Sequence, residues 1–413
     1  MIKKNKTLIK NTFYLYILTF AKLVLPIVTL PYLTRVLTKE SYGVVTYVKA
    51  CMAYMQLFID FGFVLSATKE IKYSLNKKSF SLLGKVVGDT IAAKGLLSII
   101  GAIILLIMSI TIPILRENII FTWLYFSSIV ITIFLTDFLF RGLEKMEMVT
   151  LPFVISKTIT TVFTFIFVKN DSMLINISIL EIIGSLAAVI AVSVITRKIG
   201  IVISFSNLKV WIDKIKDSFV YFISNFATTA FGALNTVVIG IFLNTADVAY
   251  WGLCMQIVGA IQNMYTPISN SIYPHMLTLK SKKFIHKTMV IFMPIVTAGC
   301  LFCLLLGGKI IVFVAGHQYE QAVPVFYTLI PVLFLGFPAI MYGWPTLGAI
   351  GKEKETSTST VAASIVQVIL LIILMITNSF TLINVALCRC ISELILFGTR
   401  FFYYKKYSFL FND

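Results

Sequence analysis

The chain has 413 residues, 58% of them hydrophobic and only 13% charged, with a formal net charge of +17. So much apolar surface cannot be hidden in a soluble core of this size, which excludes an ordinary soluble fold and leaves the bilayer as the main solvent. The basic excess lies in short clusters between apolar runs, without a continuous basic face or a nucleic-acid motif, so nucleic acid is excluded as a partner.

The amino terminus, "MIKKNKTLIK", has the basic character of a signal-peptide start. The apolar run after it, residues 11–33, is too long for a signal core and lacks a small-residue cleavage site, so it reads as an uncleaved first span. At 100° per residue Asn11, Lys22 and Thr29 share one face, with Thr19 and Pro26 beside it. The second run, 42–66, carries Lys49, Ala53, Gln56 and Asp60 on one narrow stripe, its two charges about 16 Å apart along the axis. The runs 85–112, 119–140, 149–168 and 173–196 follow. They bring Asp89 and Lys94, then Lys157, then Glu181 into apolar surroundings. The second half supplies 218–243, 247–273, 288–314, 322–348, 359–378 and 380–402, the last carrying Arg389 and Glu393 one helical turn apart. The total is about 12 spans of the length a bilayer requires. The pair joined by "TNSF" is connected very tightly.

Short loops rich in Lys and Arg fall on one side if the amino terminus is cytoplasmic. About 25 basic residues are then inside, against about five outside: Arg35, Lys39, Arg116, Lys169 and Lys309. Both termini come out cytoplasmic. The longest connection, "RKIGIVISFSNLKVWIDKIK", lies near mid-chain and divides the sequence into six-helix halves, 1–200 and 201–413. A faint likeness between "LTKESYGVVTYVKACMAYMQ" and "LNTADVAYWGLCMQIVGAIQ" fits a parallel duplication, a known transporter plan.

A charge at the bilayer centre costs at least about 2.5–3.5 kcal/mol. Arg141, Lys85 and Asp89 fit a side chain that reaches an interface or a structural partner, and Arg389 with Glu393 reads equally as a structural pair. Lys22 and Lys49 fit neither explanation. A water-filled cavity between the halves accommodates them, and Lys22, Lys49, Lys94 and Lys157 outnumber Glu181 there, so the cavity should attract an anion. Lysine suits phosphate because it binds as a point charge without fixed bidentate geometry. The candidate substrate-binding set is Lys22, Lys49, Gln56, Lys94, Lys157 and Arg389. Asp60, Asp89, Glu181 and Glu393 are candidates for carrying a coupling proton or sodium ion, and Asp60 reads equally as a structural group near the cytoplasmic helix end. The six cysteines lie in apolar runs, and Cys300 and Cys303, despite their C-x-x-C spacing, read as buried small hydrophobes. The three histidines are scattered near loops and suggest neither a metal nor catalysis.

Three strings, "LPYLTRVLTKESYGVVTYVKA", "DFGFVLSATKEI" and "DFLFRGLEKMEMVT", resemble in order and spacing the motifs of the bacterial polysaccharide flippases. These are the Wzx-type exporters of the multidrug/oligosaccharidyl-lipid/polysaccharide superfamily. Phe138 and Arg141 depart from that family's usual Trp and Gln. The resemblance covers about the first 150 residues and implies an all-α, MATE-like integral membrane fold of two six-helix lobes around a central cavity. It implies no enzyme and no cofactor. The cargo would be undecaprenyl-pyrophosphate-linked oligosaccharide, carried from the cytoplasmic to the outer leaflet of the inner membrane for O-antigen or capsule synthesis. Membrane lipids, the polymerase and the chain-length machinery would be its other partners. With the inside negative, a dianionic pyrophosphate moving outward gains about 4.6 kcal/mol per 100 mV. An organic-cation antiporter of the same superfamily is the alternative, and its site should be acidic and aromatic. A polysaccharide polymerase should carry a large outside loop, which is absent. An ATP-driven pump is excluded because "LGAIGKEKETS" has Thr346 and Glu353 where a phosphate-binding loop needs Gly and Ser/Thr.

Overall fold

A computed structural model describes the backbone of residues 2–77 and 79–412, and side chains over 10–77, 79–223, 226 and 232–412. The side chains of the amino-terminal cluster Lys3, Lys4 and Lys6, and all of Lys78, lie outside the described residues. Apolar runs with few breakers become long helices, because a helix satisfies its own backbone hydrogen bonds where lipid offers none. The first ten helices in chain order are α1 (Ile2–Val36), α2 (Lys39–Asp60), α3 (Phe63–Asn76), α4 (Phe80–Thr111), α5 (Pro113–Glu117), α6 (Ile119–Ile131), α7 (Asp137–Gly142), α8 (Glu147–Phe167), α9 (Leu174–Lys198) and α10 (Leu208–Phe242). The remainder are α11 (Thr245–Asn263), α12 (Tyr265–Leu279), α13 (Lys282–Ala315), α14 (Val323–Met341), α15 (Glu353–Ile376) and α16 (Leu382–Lys406). Among the described residues there is no strand.

Among the described residues ten helical segments are long and apolar enough to cross a membrane, six of them before residue 199. The expected spans 218–243 and 247–273 coincide with α10 and with α11–α12, which are not among the ten. Four of the expected single spans are broken rather than continuous. The run 42–66 breaks where Phe61 and Gly62 take left-handed backbone angles, φ 40° and 78°. A Cβ on Gly62 would lie 2.5 Å from Tyr221 Cβ, so only glycine allows that approach. Phe61 tolerates its own strain because its ring is buried and stacks on Phe222, centroids 4.4 Å apart. The run 119–140 breaks at Leu135–Thr136, between a 3₁₀ turn and α7. The run 247–273 divides at Met264. The run 322–348 leaves α-geometry in a π-helical turn, Tyr342–Leu347, that contains Pro345. The tight "TNSF" turn closes because Asn378 takes φ 51° and the Ser379 N–H reaches back to Leu374 O at 3.0 Å.

The chain divides into two compact units, Met1–Thr229 and Ala230–Asp413. The first extends about 29 residues beyond the expected division at 200/201, counted from those bounds. The connection after α9 is bound to the first unit along its length. Ser204 N–H donates to Gly84 O at 3.2 Å. Asp89 accepts from the N–H of Ser206, the Ser206 hydroxyl and the Trp211 indole at 2.6, 2.9 and 3.1 Å. Lys214 pairs with Glu70, and the Ser66 and Ser218 hydroxyls meet at 2.7 Å.

In the second unit α14 packs against α11, α13 and α16, and α16 against α15. A buried polar chain runs through it: Ser392 donates to Gln367, which donates to Asn235, at 2.6 and 2.9 Å. Arg400 donates to Ala339 O at 2.7 Å and to Ser359 Oγ at 3.0 Å, beside the π-helical turn.

Candidate functional site

A cavity of about 440 Å³ lies inside the first unit, bounded by α1, α2, α6, α7, α8 and α9. From α2 it takes Lys49, Ala53, Gln56 and Asp60, the stripe that helical periodicity places on one face. Lys22 enters from α1, Asp137 and Arg141 from α7, Lys157 from α8 and Glu181 from α9. The breaks in the helices matter here. The chain leaves helical geometry at Leu135–Thr136 and restarts as α7, which brings Asp137 and Arg141 to the wall.

The charges form two groups. In the first, Lys94 Nζ donates to Asp60 Oδ1 at 2.7 Å and Gln56 donates to Asp60 Oδ2 at 2.8 Å. The Thr132 hydroxyl reaches Gln56 Oε1 at 3.4 Å. Asp137 interacts electrostatically with Lys22, Lys94 and Arg141. The Lys22 ammonium also lies 5.2 Å from the centre of the Phe153 ring, within cation–π range. In the second group, Lys157 Nζ donates to Glu181 Oε2 at 2.6 Å, and the Tyr125 hydroxyl donates to the same carboxylate. Lys49 interacts with both Glu181 and Lys157. Eleven residues of α2 separate Lys49 from Asp60, so the groups are spread over about 16 Å.

The predicted residues therefore separate. Lys22, Lys49, Gln56, Asp60, Lys157 and Glu181 share one cavity. Lys94 does not line it; its buried ammonium backs Asp60 from α4. Asp89 anchors the connection after α9 and also lies off the cavity. Arg389 and Glu393 belong to the second unit, where they form a buried ion pair at 2.9 Å. The expected stripe on α1 contributes Lys22 but not Asn11 or Thr29. Asn11 donates to Glu144 O, and Thr29 bonds back to its own helix. Cys300 and Cys303 are free, buried thiols.

Sequence reasoning missed Asp137, Arg141 and Tyr125. The i, i+4 spacing of Asp137 and Arg141 was available as a sign of a shared face, but a continuous span 119–140 put Arg141 at an interface. Nor is Glu181 the one acid set against the lysines: four basic side chains line the cavity with three acidic ones, Asp60, Asp137 and Glu181.

Among the described residues the chain is helical throughout its regular structure, with many candidate membrane spans and a charged cavity among the helices of its first unit. The fold is that of transporters of the multidrug/oligosaccharidyl-lipid/polysaccharide superfamily. The lipid II flippase MurJ in an inward closed conformation superposes with a TM-score of 0.73 at 16% identity, covering 96% of this chain and 87% of that one. An inward-facing multidrug resistance transporter of the MATE family gives 0.65 at 13% identity, covering 92% of this chain and 95% of that one. The sequence pattern of the polysaccharide biosynthesis protein family matches residues 8–280. This chain belongs to that family. A relative from Escherichia coli (strain K12), named "Putative O-antigen transporter", is 27% identical over 397 residues, 94% of each chain. A relative of the same name from Shigella dysenteriae is 25% identical over 377 residues, 87% of this chain and 91% of its own.

Proposed function

We propose that the protein is a flippase for undecaprenyl-pyrophosphate-linked oligosaccharide repeat units. It carries them from the cytoplasmic to the outer leaflet of the bacterial inner membrane for O-antigen or capsule synthesis, by alternating access, with both termini cytoplasmic. One observation carries the reading. Among the described residues Lys22, Lys49 and Arg141 line the cavity without an ion pair, while Lys157 is already held by Glu181. Cations left without a bound carboxylate are suited to a phosphate anion, and each close pair contributes about 4 kcal/mol at an effective dielectric constant of 20. The family match and the names of the two relatives support the same substrate class. An organic cation would need an acid with no cationic neighbour, whereas Asp60, Asp137 and Glu181 each have one.

In this reading Glu181 and Asp60 link cargo to a coupling proton or sodium ion, supported by their place on the cavity wall beside a lysine. At Glu181 the balancing lysine, Lys157, also lines the cavity, so an arriving phosphate competes with the carboxylate for that lysine. The displaced carboxylate then becomes a site for a cation. Delivery at the outer leaflet would bring the protein next to the polymerase and chain-length machinery.

The test is complementation of a defined host deleted for its own repeat-unit flippase, with mass spectrometry of lipid-linked intermediates. Surface polymer should return and the accumulated intermediate should fall. An unchanged intermediate in a host with matching sugars overturns the reading.

A further inference from the structure

A second cavity, of about 430 Å³, lies in the first unit between α9, the 134–136 segment and the connection after α9. Its size falls within the roughly 300–1,000 Å³ typical of small-ligand sites. Its wall is apolar, with Ile91, Val192 and Ile201 buried in it, and its rim carries the exposed side chains of Phe134, Val202 and Ile203. An apolar rim of this kind is matched to acyl chains rather than to water. Four polar side chains interrupt the apolar lining, Thr136, Ser193, Thr196 and Arg197, of which Thr196 donates back to Val192 O of its own helix. Arg197, in the last turn of α9, is exposed and makes no ion pair among the described residues. Thr136 is 3% exposed, and its buried hydroxyl has no hydrogen-bond partner there. A hydroxyl left so in an apolar wall is costly unless a ligand supplies the acceptor.

We infer that this cavity binds one anionic glycerophospholipid, its phosphate at Arg197 and an ester oxygen accepting from the Thr136 hydroxyl. Arg197 and the Thr136 hydroxyl select this class. A cation at the rim favours an anionic headgroup over a zwitterionic one. A donor inside an apolar wall needs an oxygen below the headgroup, which an acyl ester provides and a polyprenyl chain does not. The position gives the lipid influence on transport. Between the 3₁₀ turn and α7 the side chains alternate, Phe134 and Thr136 facing this cavity, Leu135 and Asp137 facing the charged one. One strand of backbone separates them. A lipid on Thr136 therefore steadies the residue beside Asp137.

The full-length protein, purified in mild detergent, is titrated with dioleoylphosphatidylglycerol, dioleoylphosphatidylethanolamine or undecaprenyl phosphate, and retained lipid is counted by native mass spectrometry. Wild type should hold one phosphatidylglycerol about fivefold more tightly than phosphatidylethanolamine, the effect of one basic residue near an anionic headgroup. Arg197→Gln should bring phosphatidylglycerol down to the phosphatidylethanolamine level. Thr136→Val, nearly isosteric, should weaken both glycerophospholipids and leave their ratio intact. Val192→Trp, which fills the cavity, should abolish the bound lipid; if that variant misfolds, the other two still decide. The inference is overturned if no lipid is retained, if neither Arg197→Gln nor Thr136→Val changes retention, or if undecaprenyl phosphate displaces phosphatidylglycerol.

Discussion

Lys22 and Lys49 differ from Lys94 and Lys157 in what their ammonium groups meet. The second pair sit on carboxylates at 2.7 and 2.6 Å, and the first pair open into the cavity. Charge at positions 22 and 49 should therefore govern transport in graded order. Arg at either position should keep much of the activity. Gln should lose at least tenfold, since a hydrogen bond to a charged group contributes about 1.5–3 kcal/mol. Glu should be worse than Gln because it repels the anion. Surface polymer and accumulated lipid-linked intermediate, at matched protein level, give the measure, and full transport by both Gln and Glu variants would remove these lysines from the site. Arg389 and Glu393 call for the opposite test, because their pair is buried in the second unit. Glu393→Gln alone should destabilise by about 3–5 kcal/mol, since it removes the carboxylate paired with a buried guanidinium. Arg389→Met with Glu393→Leu should cost much less. Thermal unfolding of the purified variants compares the two, and equal losses would contradict a structural pair.

At the scale of elements, breaks in helices position the charges and glycines dock the connection. A Cβ on Gly84 would fall 1.9 Å from Val202 O, and one on Gly88 2.1 Å from Ser204 O. A Cβ on Gly95 of the same helix meets nothing within 4 Å. Gly84→Ala and Gly88→Ala should therefore release the 201–206 segment from α4. Gly95→Ala should be neutral or stabilise by up to about 1 kcal/mol, the difference in helix propensity. Limited trypsin digestion reads this directly: cleavage at Lys198 and Lys209 should speed up in the first two variants only. Equal protection in all three would mean that Asp89, with its three donors, holds the segment alone. The G-x-x-x-G spacing at 84–88 was visible in the sequence, but it did not say that the partner is an irregular segment rather than another helix.

For the whole molecule, the asymmetry of basic residues predicts orientation. Reporter fusions near residues 75, 205, 283 and the carboxyl terminus should be cytoplasmic, and those near 37, 116 and 317 outside. An outside signal at 205 would invert the assignment of the connection. Solvent access adds an independent check on the cavity. In a protein otherwise free of cysteine, Lys22→Cys and Lys49→Cys should react with small water-soluble thiol reagents. Lys94→Cys should be protected, because its position is buried behind Asp60. Reaction at all three positions, or at none, would contradict the cavity.

Composition alone determined that this chain lives in a membrane, because no soluble core could bury its apolar residues. Helical periodicity determined that Lys49, Gln56 and Asp60 share a face, because residues on one helix are related by a fixed rotation. The motif strings in the first 150 residues pointed to the family to which the chain belongs. Partnership between helices was decided only by the tertiary structure. Asp60 and Lys94 are 34 residues apart, Lys157 and Glu181 24, and no periodicity relates positions on different helices. The same holds for the breaks at Phe61–Gly62 and Leu135–Thr136. Hydropathy averages over them, whereas packing against Tyr221 and the restart of the chain as α7 fix where they fall. Arg141 shows the consequence: an apparent interface residue becomes part of the cavity wall because the helix before it stops nine residues earlier, at Thr132.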